Sequence, residues 1–236
     1  MKVIVVIPAY NEGARIVEVV KSVRRVVQDY DILVVNDGSK DNTAAAAEGA
    51  GATVVSHPFN MGYGVTIQTG YKYAYAKGYD FLAQIDGDGQ HDPSYIPDLL
   101  GPVIAGETDF TIGSRFMEAE SYEPSLARKA GMALFRKMVS WITGVRITDS
   151  TSGYQAFNRE VIRFFTTEVF PVDYPDADML ITLHLAGFRI MELPVRMYSN
   201  VAGKSMHSGL KPLYYMFKML LSIFVTLIRN KKLLRR

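Results

Sequence analysis

The chain has 236 residues, 48% hydrophobic and 21% charged, which excludes a disordered tail or a collagen-like repeat and leaves enough length for a sizeable core. It has no cysteine, so disulfides, thiolate metal sites and cysteine nucleophiles are excluded together. The formal net charge of +2 hides an asymmetry: from Leu193 onward there are nine basic residues and no acidic one, so an acidic body carries a basic, apolar end suited to an anionic surface.

The amino terminus opens on Val3-Ile4-Val5-Val6-Ile7 before Pro8. That run is too short for a signal-peptide core and lacks a small-residue cleavage site, but its β-branched content suits a buried parallel strand. A helix is predicted from about Gly13 to Gln28, with Ile16, Val19, Val20, Val23 and Val27 on one face. A strand over Ile32–Val35 ends at Asn36-Asp37-Gly38, a helix covers Thr43–Gly49, and a third strand covers Thr53–Ser56. After Asn60-Met61-Gly62 comes a helix to about Lys77, then a strand Asp80–Ile85 ending at Asp86. Asp92 before Pro93 reads as a helix cap with proline at the first helical position, opening a helix to about Ala105. Phe110–Ile112 is a further strand.

Strands alternating with helices at this spacing predict an α/β fold, a doubly wound, mainly parallel sheet covered on both faces. The second half is less regular. A helix from about Leu126 to Thr143 precedes Asp149-Ser150-Thr151-Ser152-Gly153 and a strand Tyr154–Phe157. A helix over Ala177–Ala186 follows, then strands Arg189–Leu193 and Val195–Tyr198 around Pro194. The absence of repeats and linkers predicts one domain over residues 1–210, with a doubly wound nucleotide-binding half (1–115), a less regular second half (116–210) and a terminal segment 211–236.

Ligands of open parallel sheets bind beyond the carboxyl ends of the strands. Three such ends carry polar residues: Pro8-Ala9-Tyr10-Asn11-Glu12, Asn36-Asp37-Gly38-Ser39 and Asp86-Gly87-Asp88-Gly89-Gln90-His91. The first turn has no G-x-G-x-x-G, which argues against a dinucleotide-dependent oxidoreductase. Alternate residues of an extended strand end point the same way, so Asp86, Asp88 and Gln90 are expected to converge. Their hard oxygens suit Mg²⁺ or Mn²⁺ shared with substrate phosphates, although Asp-Gly pairs are also common turn formers.

These residues resemble family 2 glycosyltransferases of the GT-A fold, and within them the dolichyl- and polyprenyl-phosphate sugar transferases. Gly113-Ser114-Arg115 and Asp149-x-x-Ser152-Gly153 extend the resemblance, which covers about residues 1–200. It implies inverting transfer of a sugar from a nucleotide-diphosphate donor to a lipid phosphate. By position, it implies that Pro8, Tyr10, Glu12 and Asp37 hold the nucleoside and that Asp86 supports nucleotide or metal. Asp88 and Gln90 would bind a metal bridging the donor phosphates. Arg115 would face donor or acceptor phosphates, and Arg128 matches a basic position for the acceptor phosphate. The related R-x-x-G-x-S-K pattern is broken, with Asn200 in place of Arg and Met206 in place of the last Lys. Lys204, with His207, is expected to supply the missing charge to the donor.

A phosphomonoester acceptor is already an anionic nucleophile and needs alignment rather than a general base. A saccharide hydroxyl would need a positioned base, for which Asp176 and Asp178 are the candidates. A non-catalytic nucleotide-binding membrane adaptor is the non-enzymatic alternative. The helix after Gly62, with Gly64 and Gly70, suits phosphate binding or close packing on the sheet. His91 and His184 read as structural or surface residues, Trp141 as core or interface. Tyr71, Tyr73 and Tyr75 spread around their helix rather than forming a base-stacking platform, and no nucleic-acid motif is present.

Lys211–Arg236 reads as an amphipathic helix with Lys211, Lys218, Ser222, Arg229 and Arg236 in one stripe. Its apolar stretch would span about 24 Å, short of a ~30 Å hydrocarbon core. This predicts a peripheral helix in the membrane interface at the cytoplasmic face, with packing on the body as the alternative and an integral-membrane partner as a further expectation.

Overall fold

The computed structural model describes residues 1–117, 126–171, 173, 175–198 and 211–233. Its centre is β1 (Val3–Ala9), buried along its whole length. Alternation sends Ile4 and Val6 into one core layer and Val3, Val5 and Ile7 into the other, so both faces of the strand are covered. Helix α1 (Ile16–Val26) buries Ile16, Val19, Val20 and Val23, the stripe expected from the sequence. Then come β2 (Asp31–Asn36), α2 (Thr43–Gly49), β3 (Thr53–Ser56), α3 (Tyr63–Ala76) and β4 (Phe81–Gln84).

Where one helix from Pro93 was expected, a 3-10 turn (Pro93–Tyr95) precedes α4 (Ile96–Ile104). Asp92 caps that turn, its carboxylate accepting from the Ser94 N–H at 3.0 Å. After β5 (Phe110–Ser114) and α5 (Leu126–Thr143), β6 (Gln155–Asn158) leads straight into α6 (Arg159–Phe165). The sequence reading has no helix at α6, a seven-residue element capped by the Asn158 side chain on the Val161 N–H. The remaining elements are α7 (Ala177–Leu185), β7 (Ile190–Pro194) and α8 (Lys211–Leu233).

The strand order is β3-β2-β1-β4-β6-β5-β7, parallel except for β6, which runs antiparallel to both β4 and β5. That reversal matters: residues preceding β6 lie at the same edge as residues following the other strands. Asp149–Gly153 is thereby brought beside the end of β4. β7 pairs only with β5, so Pro194, which lacks an N–H, sits on an edge strand. The expected strand Val195–Tyr198 is not one. The chain there forms an isolated bridge, Met197 to His91, with the Val195 N–H donating to the Ser114 carbonyl at 3.0 Å and the Tyr198 N–H to the Gln90 carbonyl at 2.7 Å.

Gly70 lets α3 lie directly on β1, since a Cβ there would run into Val6. Packing therefore accounts for this glycine. Trp141, expected in a core or interface, is 85% exposed on α5.

Helix α8 packs on α7 with an unexpected orientation. Two members of its polar stripe turn inward: Ser222 donates to the Asp178 carboxylate, and Lys218 donates to Asp173 at 2.8 Å. Met219 and Ile223 are buried beside them, while Phe217, Leu221, Phe224, Val225 and Ile228 remain exposed. The acidic groups of the body select the polar side of the helix.

Asp178 is fully buried, and removal from solvent pushes its carboxyl up to about 6 despite the bonds from Ser222 and the Met179 and Asp176 amides. The folded protein then holds a proton at pH values where the unfolded chain has released it. Stability should fall as pH rises from about 4 through about 6, by about 3 kcal/mol for this group alone. Asp178→Asn should remove that slope, read as the difference in Tm from wild type between pH 4 and pH 7. A difference independent of pH would show that Asp178 does not titrate this way.

Candidate active site

The ends of β1 and β2 are stitched together by side chains. Asn11 adopts a positive φ of 56°, its N–H donates to Ser39 Oγ at 2.9 Å, and its Oδ1 accepts from the Lys40 N–H at 2.9 Å. The Glu12 N–H donates to Thr43 Oγ1 at 2.9 Å and the Gly13 N–H to Asp41 at 3.0 Å. Pro8 lies within β1, in register with Val35, and Tyr10 follows the strand with 43% of its surface exposed.

Asp37 lies just beyond β2 and is buried. Its Oδ1 accepts from His57 Nδ1 and the Met61 N–H, both at 2.8 Å, and its Oδ2 accepts from the Gly62 N–H at 2.9 Å. Burial alone would raise this carboxyl, but those bonds hold it below the usual carboxylate range. The Met61 and Gly62 amides just before α3 thus serve a carboxylate of the protein itself. A carboxylate offers about four acceptor sites, so Asp37 keeps capacity on Oδ2.

The Asp86–Gln90 segment is a turn and not an extended strand end. β4 stops at Gln84, Gly89 has φ 76°, and Asp88 Oδ1 accepts from the Gln90 N–H at 2.9 Å. The alternation expected to align the three side chains therefore does not apply. A side-chain turn bends the chain and keeps Asp86 and Asp88 within each other's field instead. Asp86 is held up by burial, opposed by a hydrogen bond from Tyr63 and the charge of Arg115. Asp88 is held up by burial and by the like charge of Asp86. Glu12 is likewise raised, first by burial, with Asp88 and Asp41 adding to it and Arg15, its partner at 2.9 Å, opposing.

Gln90 joins this turn to the segment after β7, its Nε2 donating to the Tyr198 carbonyl at 3.2 Å. His91 is buried and stacked on Tyr154 at 4.9 Å between centroids, and its Nδ1 accepts from the Asp86 N–H at 3.1 Å. Burial pushes its imidazole down to about 4, so it stays neutral and supports the turn.

Arg115 follows β5 and grips Asp149 with a fork, Nε to Oδ2 at 2.6 Å and Nη2 to Oδ1 at 2.8 Å, with Thr151 Oγ1 at 2.9 Å. Asp149 is in turn fixed by Glu192 of β7, which accepts the amides of residues 148 and 149. Two faces of the guanidinium are therefore committed to the protein, while its charge still acts on Asp86. Arg128 lies in α5, but its side chain falls outside the described residues, as do Lys204, Asn200, Met206 and His207. Of the two candidate bases, Asp178 is sealed between α7 and α8 with both oxygens bonded, and Asp176 begins α7.

The structure brings Glu12, Asp86, Asp88 and Arg115 into one electrostatic neighbourhood at the point where strand order reverses around β1. Sequence reading missed Tyr63, Gln84, His57, Arg15 and Glu192. Glu12-x-x-Arg15 is a local pair that spacing could have suggested; the others bond to residues distant in sequence.

For a divalent cation, Asp86 and Asp88 are a fitting donor set. Each has one oxygen, Oδ1, engaged by a protein donor, and its Oδ2 accepts no hydrogen bond among the described residues. Two hard carboxylates, both raised by burial and Asp88 also by the charge of Asp86, suit Mg²⁺ or Mn²⁺. Among the described residues no group of three or more His, Cys, Asp or Glu forms a complete metal centre. Any cation here would need Gln90 or ligands from a substrate.

A central, mainly parallel sheet with polar groups at its switch point defines the class as a doubly wound α/β ligand-binding fold. The family model for glycosyl transferase family 2 matches residues 4–165, and the chain belongs to that family. The undecaprenyl-phosphate mannosyltransferase of Micrococcus luteus is 30% identical over 224 residues, 89% of this chain and 88% of that one. The polyprenol monophosphomannose synthase of Mycolicibacterium smegmatis is 30% identical over 228 residues, 92% of this chain and 85% of that one. A crystal structure of glucosyl-3-phosphoglycerate synthase from Mycobacterium tuberculosis with Mn²⁺, UDP and glucosyl-3-phosphoglycerate shares the fold, with a TM-score of 0.67 and 22% identity over 97% of this chain and 79% of that one. The chain is thus a glycosyltransferase of GT-A fold, similar to polyprenyl- and dolichyl-phosphate sugar transferases.

The Arg115–Asp149 pair gives a direct test of its structural share. Asp149 has no exposed side-chain surface, so Arg115→Ala would leave a buried charge without its fork. Urea unfolding should show a loss of about 3–5 kcal/mol. A loss below about 1 kcal/mol would mean that Arg115 is not needed to hold the 149–153 segment.

Proposed function

We propose that the protein transfers a sugar, with inversion, from a nucleotide-diphosphate donor to a polyprenyl or dolichyl phosphate at the cytoplasmic face of a membrane. The observation that carries the reading is the pair Asp86–Asp88 at the switch-point crevice, each with an Oδ2 that accepts no hydrogen bond among the described residues. The relatives named as polyprenyl-phosphate transferases support the same substrate class.

In this reading Glu12, Tyr10, Pro8 and Asp37 hold the nucleoside in the stitched cleft between β1 and β2. Asp86, Asp88 and Gln90 would hold Mg²⁺ or Mn²⁺, which would supply positive charge for a departing diphosphate. Arg115 adds a fixed positive potential at the same place, and Arg128 and Lys204 face the acceptor and donor phosphates. The acceptor phosphate attacks in line without a protein base. The sealing of Asp178 favours that acceptor over a sugar hydroxyl, because it removes one of the two candidate bases.

Among the described residues no helix is long and apolar enough to cross a membrane. The outward apolar face of α8 supports a peripheral contact with the bilayer, where aromatic and aliphatic side chains sink into the interface.

Activity is tested with labelled nucleotide sugars and polyprenyl phosphate in Mn²⁺. An acid-labile, organic-soluble phosphosugar should form, EDTA should abolish it, and Asp88→Asn should lower kcat/KM at least about 100-fold. A product that stays in the aqueous phase on a saccharide acceptor would reject the lipid phosphate. Phe217→Asp with Phe224→Asp should release the protein from liposomes containing anionic lipid; unchanged co-sedimentation would reject the role of α8.

A further inference from the structure

Behind Asp86 runs a chain of hydrogen bonds that none of the sequence motifs contains. Gln84, buried on β4, donates through Nε2 to the Gly153 carbonyl at 3.0 Å and to the Tyr63 hydroxyl at 3.1 Å, while its Oε1 accepts from the Tyr71 hydroxyl. Tyr63, the first residue of α3, donates from its hydroxyl to Asp86 Oδ1 at 3.1 Å.

The directions in this chain are forced. A carbonyl only accepts, so Gly153 fixes which end of the Gln84 amide is nitrogen. That nitrogen only donates, so Tyr63 must accept from it. The single phenolic hydrogen of Tyr63 is then left for Asp86. Gly153 also closes the space: a Cβ there would lie 2.7 Å from the Tyr63 hydroxyl and 3.0 Å from both Asp86 oxygens. The Tyr63 ring faces outward, with 41% of the residue exposed, so its hydroxyl reaches inward from the crevice wall.

We propose that Tyr63 is a positioning residue for the cation site, its hydroxyl holding Oδ1 of Asp86 so that Oδ2 is presented to the divalent ion. The proposal rests on the metal-dependent reading above and adds to it the residue that orients the first carboxylate. Groups that orient metal ligands typically change metal affinity by 10–100-fold when removed.

The test needs no turnover. Calorimetric titration of the full chain with UDP and with GDP, in Mn²⁺ and separately in EDTA, gives the factor by which the metal tightens nucleotide binding. Tyr63→Phe should reduce that factor about tenfold while leaving the affinity in EDTA unchanged. Tyr79→Phe is the matched control, because it removes another phenol–carboxylate bond, to Asp31 at 2.8 Å, at the opposite end of β2. It should leave the factor unchanged. An unaltered factor in Tyr63→Phe would overturn the positioning role and leave the proposed function standing. An equal loss in Tyr79→Phe would overturn it too, by showing a general effect of destabilisation. If the wild-type protein shows no metal-dependent gain with either nucleotide, the positioning role falls together with the metal-dependent reading.

Discussion

Two carboxylates held in one turn at a half-buried crevice set the terms for everything around them. Burial holds the carboxyls of Asp86 and Asp88 up, and at Asp88 the charge of Asp86 acts in the same direction. The protein offers only partial relief. Arg115 contributes its field, but its fork is spent on Asp149, and Arg15 is spent on Glu12. Among the described residues the two arginines that act on this pair are thus bonded to other carboxylates, an arrangement that a cation with a diphosphate would complement. A site already neutral in its own side chains would have no such preference.

The surrounding structure keeps those carboxylates in place with neutral donors. Tyr63 bonds Asp86, the Gln90 amide bonds Asp88, and His91 accepts from the Asp86 amide as an uncharged ring. Neutral groups orient an anion without satisfying it, so geometry is fixed while the electrostatic demand remains. Asp37 shows the opposite arrangement: three donors bring its carboxyl below the usual range, as suits a group that ties a loop down. The same residue type thus serves as an anchor at the end of β2 and keeps an oxygen open at the end of β4. The difference lies in the number of donors that reach it.

Much of this was legible because it is local. The apolar period of α1, the β-branched run of β1 and the acidic strand ends all lie within short windows, and so the sheet and the crevice could be read from them. Helix α6 was lost because seven residues carry too little period, although Asn158 before Arg159-Glu160 is a capping signal. The turn at Asp86–Gln90 was misread as extended because alternation and an Asp-Gly turn present the same letters. Gln84 and Tyr63 were invisible for a different reason: their bonds join residues 21 and 69 positions apart, so no local pattern records them. The reversal of β6 is equally non-local, yet it alone explains how Asp149–Gly153 comes to face the end of β4.

Helix α8 carries the argument from the crevice to its surroundings. An amphipathic helix on a soluble body ordinarily buries its apolar side, yet here Lys218 and Ser222 face Asp173 and Asp178 while Phe217, Leu221, Phe224 and Val225 face outward. Turning the helix over would bury those side chains, but it would strand Asp178 without its hydroxyl partner in the interior, where an unpaired polar group is costly. The body's acidic groups, together with the buried apolar contacts of Met219 and Ile223, therefore set which side of α8 is outermost. They also tie it to the start of α7, where Asp178 accepts from the Asp176 amide. The segment that begins α7 and the surface offered by α8 are joined through one buried carboxylate.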